Sequence, residues 1–176
     1  MLPHSWYHIL NTNDPVEHHV PCYAFLFFHD SHDDGSYGEF QDISSAEKGA
    51  IRFNGVIPVH WYHNGSSIIR FDEKFEYLWL NEAKYNGAGD NAFAEIKNFY
   101  DRPMSCFTDY ERYFMCLQCN HLGKRYIWIH SRNPHPSAQD ILRARNKLVE
   151  IGDGWSSVPL HLSDCRNFDE PEKFSY

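Results

Sequence analysis

Residues 22–29 (CYAFLFFH) are apolar without a break over the length of one strand, the pattern of a strand covered on both faces. Two more runs, 56–62 (VIPVHWY) and 67–71 (SIIRF), flank Asn64 and Gly65, a dipeptide that tolerates the positive φ angles of a type I′ turn. They predict a hairpin. Pro58 has no amide hydrogen to give a ladder, so it is expected to place that first strand at a sheet edge or at a bulge. Residues 75–80 (FEYLWL) alternate and extend the meander. A second hairpin is expected from 112–118 (RYFMCLQ) and 125–130 (RYIWIH), with Asn120, Gly123 and Lys124 supplying the reversal.

Helical spacing is confined to three places. Ser44 and Glu47 have the separation of a capping box before AEKGAIRF, where Gly49 weakens the interior. Asp90 caps NAFAEIKNFY, whose Phe93, Ile96 and Tyr100 recur at helical spacing until Pro103 stops the run. Ser137 and Asp140 repeat the capping box before ILRARNKLVE, with Ile141, Leu142, Leu148 and Val149 expected to face a sheet. A Gly-Asp-Gly turn leads to a last short strand at 157–162. Residues 1–21 and 167–176 show no period and are expected to be irregular, surface-packed tails. The expected fold class is therefore α+β: one domain over 1–176, mainly an antiparallel sheet of two or more hairpins, with about three helices packed on it.

Composition narrows the setting. An apolar fraction of 42% with 16% aromatic residues marks a folding chain, and the longest apolar run, 23–28, is too short to cross a bilayer. The N-terminus has neither a basic n-region nor a long apolar h-region, so a cytoplasmic, intracellular protein is expected. Five cysteines at irregular spacing argue for reduced thiols rather than a disulfide framework. The formal charge of −8 opposes non-specific nucleic-acid binding and suits a partner protein with a basic surface. Phosphate-loop and G-x-S-x-G motifs are absent, which removes support for nucleotide-binding and nucleophile-elbow classes.

The candidate chemistry is carried by twelve histidines and the cysteines. Cys116, Cys119 and His121 form a C-x-x-C-x-H cluster at a hairpin mouth, and His130, His135 or Cys106 could complete a tetrahedral zinc site, zinc being the candidate cofactor. A regular strand would oppose this, since positions three apart point to opposite faces. His29, His32, Asp33 and Asp34 follow the buried strand, where a divalent metal or a general base could sit. His29 with Ser31 and His161 with Ser163 each make an H-x-S triplet after a strand-like run. This pairing resembles the two-histidine phosphoesterases, and the resemblance implies that one histidine is the base, the other the acid, and the hydroxyls hold phosphate.

Trp61, Tyr62 and Trp79, with Trp6, Tyr113 and Trp155, exceed what a small core requires and suit a binding face. The sequence is thus expected to encode a small acidic protein that acts by occupying a partner's surface, as an inhibitor, immunity or accessory factor. The rival expectation is a metal-dependent or two-histidine phosphoesterase using His29, His32, Asp33 and His161.

Overall fold

The computed structural model describes residues 5–12, 22–30, 35–42, 53–63, 67–71, 104–120 and 122–163. Eight strands follow one another: β1 (Ser5–Asn11), β2 (Tyr23–Asp30), β3 (Gly35–Asp42), β4 (Phe53–His63), β5 (Ser67–Phe71), β6 (Met104–Thr108), β7 (Tyr113–Cys119) and β8 (Arg125–Ser131). Helix α1 (Ala138–Ile151), a 3-10 turn (Trp155–Ser157) and the short β9 (His161–Leu162) come after them. Each of β2 to β8 is antiparallel to its sequence neighbour, and β1 pairs with both β2 and β8. The sheet therefore closes on itself as an up-and-down barrel of eight strands, which leaves no open edge at β2 or β8.

Closure depends on β1. Its register runs Ser5↔Leu26 to Tyr7↔Ala24 against β2, and Tyr7↔Ser131 to Asn11↔Trp128 against β8. The register slips between His8 and Leu10, and beyond this bulge the edge that β2 occupied takes β9 instead, with Leu10↔Leu162 and Asn11↔His161.

Period-2 alternation sorts β7 and β8 into two faces. Met115, Leu117, Ile127 and Ile129 pack with Ile9, Leu10, Ala144, Leu148 and Trp155 in one apolar cluster, so α1 lies against the outside of the wall. Phe114, Cys116 and Gln118, opposite His130, Trp128 and Tyr126, turn the other way, into the barrel. The Ser137 hydroxyl accepts from Asp140 N at 3.2 Å and Ser137 N donates to the Asp140 carboxylate at 3.2 Å, the capping box expected there.

The α+β expectation is corrected by this closure. Among the described residues there is one α-helix, because a sheet that curls on itself covers its own inner face and needs no helical layer there. The expected helices at 46–53 and 91–100 and the expected strand at 75–80 lie outside the described residues, except that Phe53 begins β4. Residues 5–11, read as part of a tail, are the closing strand. Pro58 does not mark an edge: it pairs with Tyr37 of β3, and the ladder to β5 starts at the next residue, Val59↔Phe71. The buried stripe of α1 is also shifted. Ala144 and Leu148 are buried and Ile141 half-buried, whereas Leu142 and Val149 are 59% and 62% exposed.

Candidate functional site

Inside the barrel, β1, β2, β7 and β8 bring six rings together: Trp6, His8, Tyr23, Phe25, Phe114 and His130. His130 is the hub. Its ring centroid lies 5.1 Å from that of His8, 5.6 Å from Tyr23, 5.5 Å from Phe25 and 5.6 Å from Phe114. His8 stacks on Tyr23 at 4.2 Å. At 2% exposure His130 is enclosed, and neither of its ring nitrogens makes a hydrogen bond of normal geometry. Burial pushes its pKa down to about 3, the Phe114 backbone pulling weakly the other way. Burial, then the neighbouring His130, also hold His8 well below the usual histidine range. Both imidazoles are neutral at physiological pH.

Ser5, Thr108, Tyr113 and Ser131 lie at one end of the barrel, and Asn11, Met104, Cys119 and Arg125 at the other. At the first of these ends Arg132 links three elements. Its guanidinium lies over the Trp6 ring at 5.2 Å and Nη2 donates to the Tyr110 carbonyl, joining β1, β8 and the β6–β7 turn. Toward the other end the wall continues with Gln118, Tyr126 and Trp128, the last two rings stacked at 6.1 Å and 13°. The Lys124 ammonium stands 4.9 Å from the Tyr126 ring centroid in the β7–β8 turn. This inner wall is mostly aromatic with a few polar groups, the composition that small-molecule sites favour.

The zinc cluster is not assembled. Cys116 points inward and is buried while Cys119, three positions along the same strand, is exposed, so the two thiols face opposite sides of the wall. His130 is committed to the aromatic cluster, His121 lies outside the described residues, and no three His, Cys, Asp or Glu among the described residues are grouped to hold a metal ion. The reading of all thiols as reduced is also corrected, since Cys22 is disulfide-bonded.

The phosphoesterase pairing fails on distance. His29 is opposite Ser36, three residues beyond the last β1 pairing, whereas His161 is opposite Asn11 at the far end of β1. At about 3.3 Å per residue the two positions are roughly 30 Å apart along the strand direction. His161 is exposed, and His32, Asp33 and Ser31 lie outside the described residues.

Of the partner-binding set, Trp61 and Tyr62 fall on β4 opposite Ile69 and Ile68, and Trp79 lies outside the described residues. The surplus of aromatics has an internal use instead. Trp6, Tyr23, Tyr126 and Trp128 are buried in the barrel and Trp155 is buried under α1. Sequence reasoning missed Trp6, His8, Tyr23 and Phe25 as a group. The signal was present in SWYHILN, a strand-length run whose aromatics could have been read as a further strand rather than a tail.

No protein-family model matches the sequence, and no curated protein matches it. Solved structures do match, 46 chains in all. The fold is that of the lipocalin barrels. The siderocalin Ex-FABP, described as functioning through dual ligand specificities, is 11% identical with a TM-score of 0.51 over 85% of this chain and 86% of its own. The cockroach allergen Per a 4 is 12% identical with a TM-score of 0.57, over 86% of this chain and 78% of its own. Lobster apocrustacyanin A1 is 13% identical with a TM-score of 0.53, over 92% and 76%. At such identities the likeness establishes the lipocalin-type fold. The expectation of a protein that acts by covering a partner's surface is corrected, since this chain shares the barrel fold of those structures and the described aromatics Trp6, Tyr23, Tyr126 and Trp128 are buried inside it.

Proposed function

We propose that this barrel binds a small, flat, largely apolar molecule in its interior, entered from the end at which Lys124 and Tyr126 lie. The observation that carries this reading is His130: an enclosed imidazole whose nitrogens make no hydrogen bond of normal geometry, set among aromatic rings on the inner wall. A buried polar group left unmatched costs about 1–3 kcal/mol, a cost that a ligand supplying a donor or acceptor would offset. The stacked Tyr126 and Trp128 give the ligand flat apolar walls, and the Trp6–Arg132 pair toward the opposite end gives it a floor.

The compartment follows from Cys22. A disulfide persists in an oxidising setting, so the protein is proposed to act outside the reducing cytosol. Among the described residues no helix is long and apolar enough to cross a membrane.

Titration with N-phenyl-1-naphthylamine, a neutral fluorescent amine, tests the reading. Saturable binding with one site and quenching of tryptophan emission is expected. The variant His130→Phe should bind about tenfold more weakly, the worth of one lost hydrogen bond at about 1.4 kcal/mol, and Trp128→Ala more weakly still. Unsaturable binding, or equal affinity in the wild type and both folded variants, would remove the proposal.

A further inference from the structure

The same inner wall holds a second feature that ligand binding does not use. Cys106 of β6 and Cys116 of β7 are directly opposite each other in the antiparallel ladder, on the face that carries Phe114 and Gln118. Both are thiols, both are 4% exposed, and their sulfurs lie 2.6 Å apart. Thiols in ordinary van der Waals contact stand farther apart than this. Opposite residues of an antiparallel pair have Cα atoms about 4.5–5.5 Å apart, inside the range of about 4.4–6.8 Å that a disulfide spans. The register and the sulfur separation together put the pair within reach of a disulfide.

We infer that Cys106 and Cys116 form a second, cross-strand disulfide that staples β6 to β7 on the inner face of the barrel. The independent observation is Cys22, which is already disulfide-bonded, so the fold is made where thiols are oxidised. Cys119 stands apart from the pair. It is exposed on the outer side of the same strand, and the wall itself separates it from Cys116.

The oxidant is a small-molecule disulfide such as oxidised glutathione. The Cys116 thiolate attacks one glutathione sulfur and expels a glutathione thiolate, leaving a mixed disulfide. The Cys106 thiolate then attacks the Cys116 sulfur, the Sγ–Sγ bond forms, and the second glutathione thiolate leaves. Two protein thiols are oxidised, one glutathione disulfide is reduced, and the two thiol protons pass to the departing thiolates. Burial pushes the Cys116 thiol well up in pKa once the barrel is closed, so exchange belongs to folding, when the β6–β7 hairpin is still open to solvent.

The test is a thiol map of the full chain refolded in a reduced and oxidised glutathione couple. The protein is denatured without reductant, alkylated and digested. A peptide pair joined through Cys106 and Cys116, with Cys119 alkylated, is the expected result. Alkylation of both Cys106 and Cys116, or a bridge from either of them to Cys119, would overturn the inference. Because the wild-type chain is mapped, the outcome does not depend on a variant that folds, and it is read separately from dye binding, so the ligand proposal and the bridge can fail independently.

Discussion

Ser163 Oγ lies 3.0 Å from Nδ1 of His8, a residue 155 positions earlier in the chain. The same hydroxyl accepts from Asn11 Nδ2 at 3.4 Å, and Ser163 N donates to the Ile9 carbonyl at 2.9 Å. The segment after β9 is thereby latched to the bulged half of β1 from inside and along the ladder. Ser163, matched with His161 in the H-x-S triplet, serves the closing strand instead. Its replacement by Ala should cost about 1–2 kcal/mol, the range for a hydrogen bond withdrawn from a buried partner. His161→Ala, at an exposed position, should leave the urea midpoint within about 0.5 kcal/mol of wild type. Equal midpoints for Ser163→Ala and wild type would show that the latch contributes nothing.

Acid should destabilise the barrel through His130. Its folded pKa is depressed to about 3, below the unfolded value near 6.5, so between those pH values the unfolded chain binds the extra proton. Stability is full above about pH 6.5 and is lost as pH falls, by up to about 1.4 kcal/mol per pH unit for this group alone. His8, also depressed, steepens the loss. Unfolding free energies at several pH values would measure the slope, and His130→Phe should flatten it. A slope of opposite sign would contradict the enclosed geometry.

The face of α1 can be checked by two leucines of equal size. Leu148 is buried against the barrel wall, and Leu148→Ala should cost about 2–5 kcal/mol. Leu142 is exposed, so Leu142→Ala should change stability by no more than about 0.5 kcal/mol. Comparable losses at both positions would place the helix in the wrong rotation.

Gly154 and Gly123 both adopt the left-handed backbone, at φ +77° and +78°. A Cβ at Gly123 meets nothing within 4 Å, whereas one at Gly154 comes within 2.6 Å of Arg125 Nη1, the guanidinium that rests 5.3 Å from the Trp155 ring centroid. Alanine at either position should cost about 1 kcal/mol for the backbone, and at Gly154 about 0.5–1 kcal/mol more for the displaced cation. Thermal unfolding of the two variants should show that order; the reverse order would rule out the Arg125 contact as the cause.

Local patterns determined a good deal of this protein. The hairpin of β7 and β8, the pairing of β4 with β5 and the capping box of α1 all depend on contacts within a few residues, and alternation and capping encode those contacts directly. What only the tertiary structure decided is which strands lie far apart in sequence yet side by side in space. Nothing local tells Ser5–Asn11 to pair with both Tyr23–Asp30 and Arg125–Ser131, and that pairing turns an open sheet into a barrel. Once it closes, a face of β8 that reads as the outer or metal-binding side of a hairpin becomes an interior. His130 then meets His8, Tyr23 and Phe25 inside the barrel, and Cys116 meets Cys106 rather than Cys119. The reason is geometric: a period of two tells which residues share a face, but only closure tells whether that face looks outward or in.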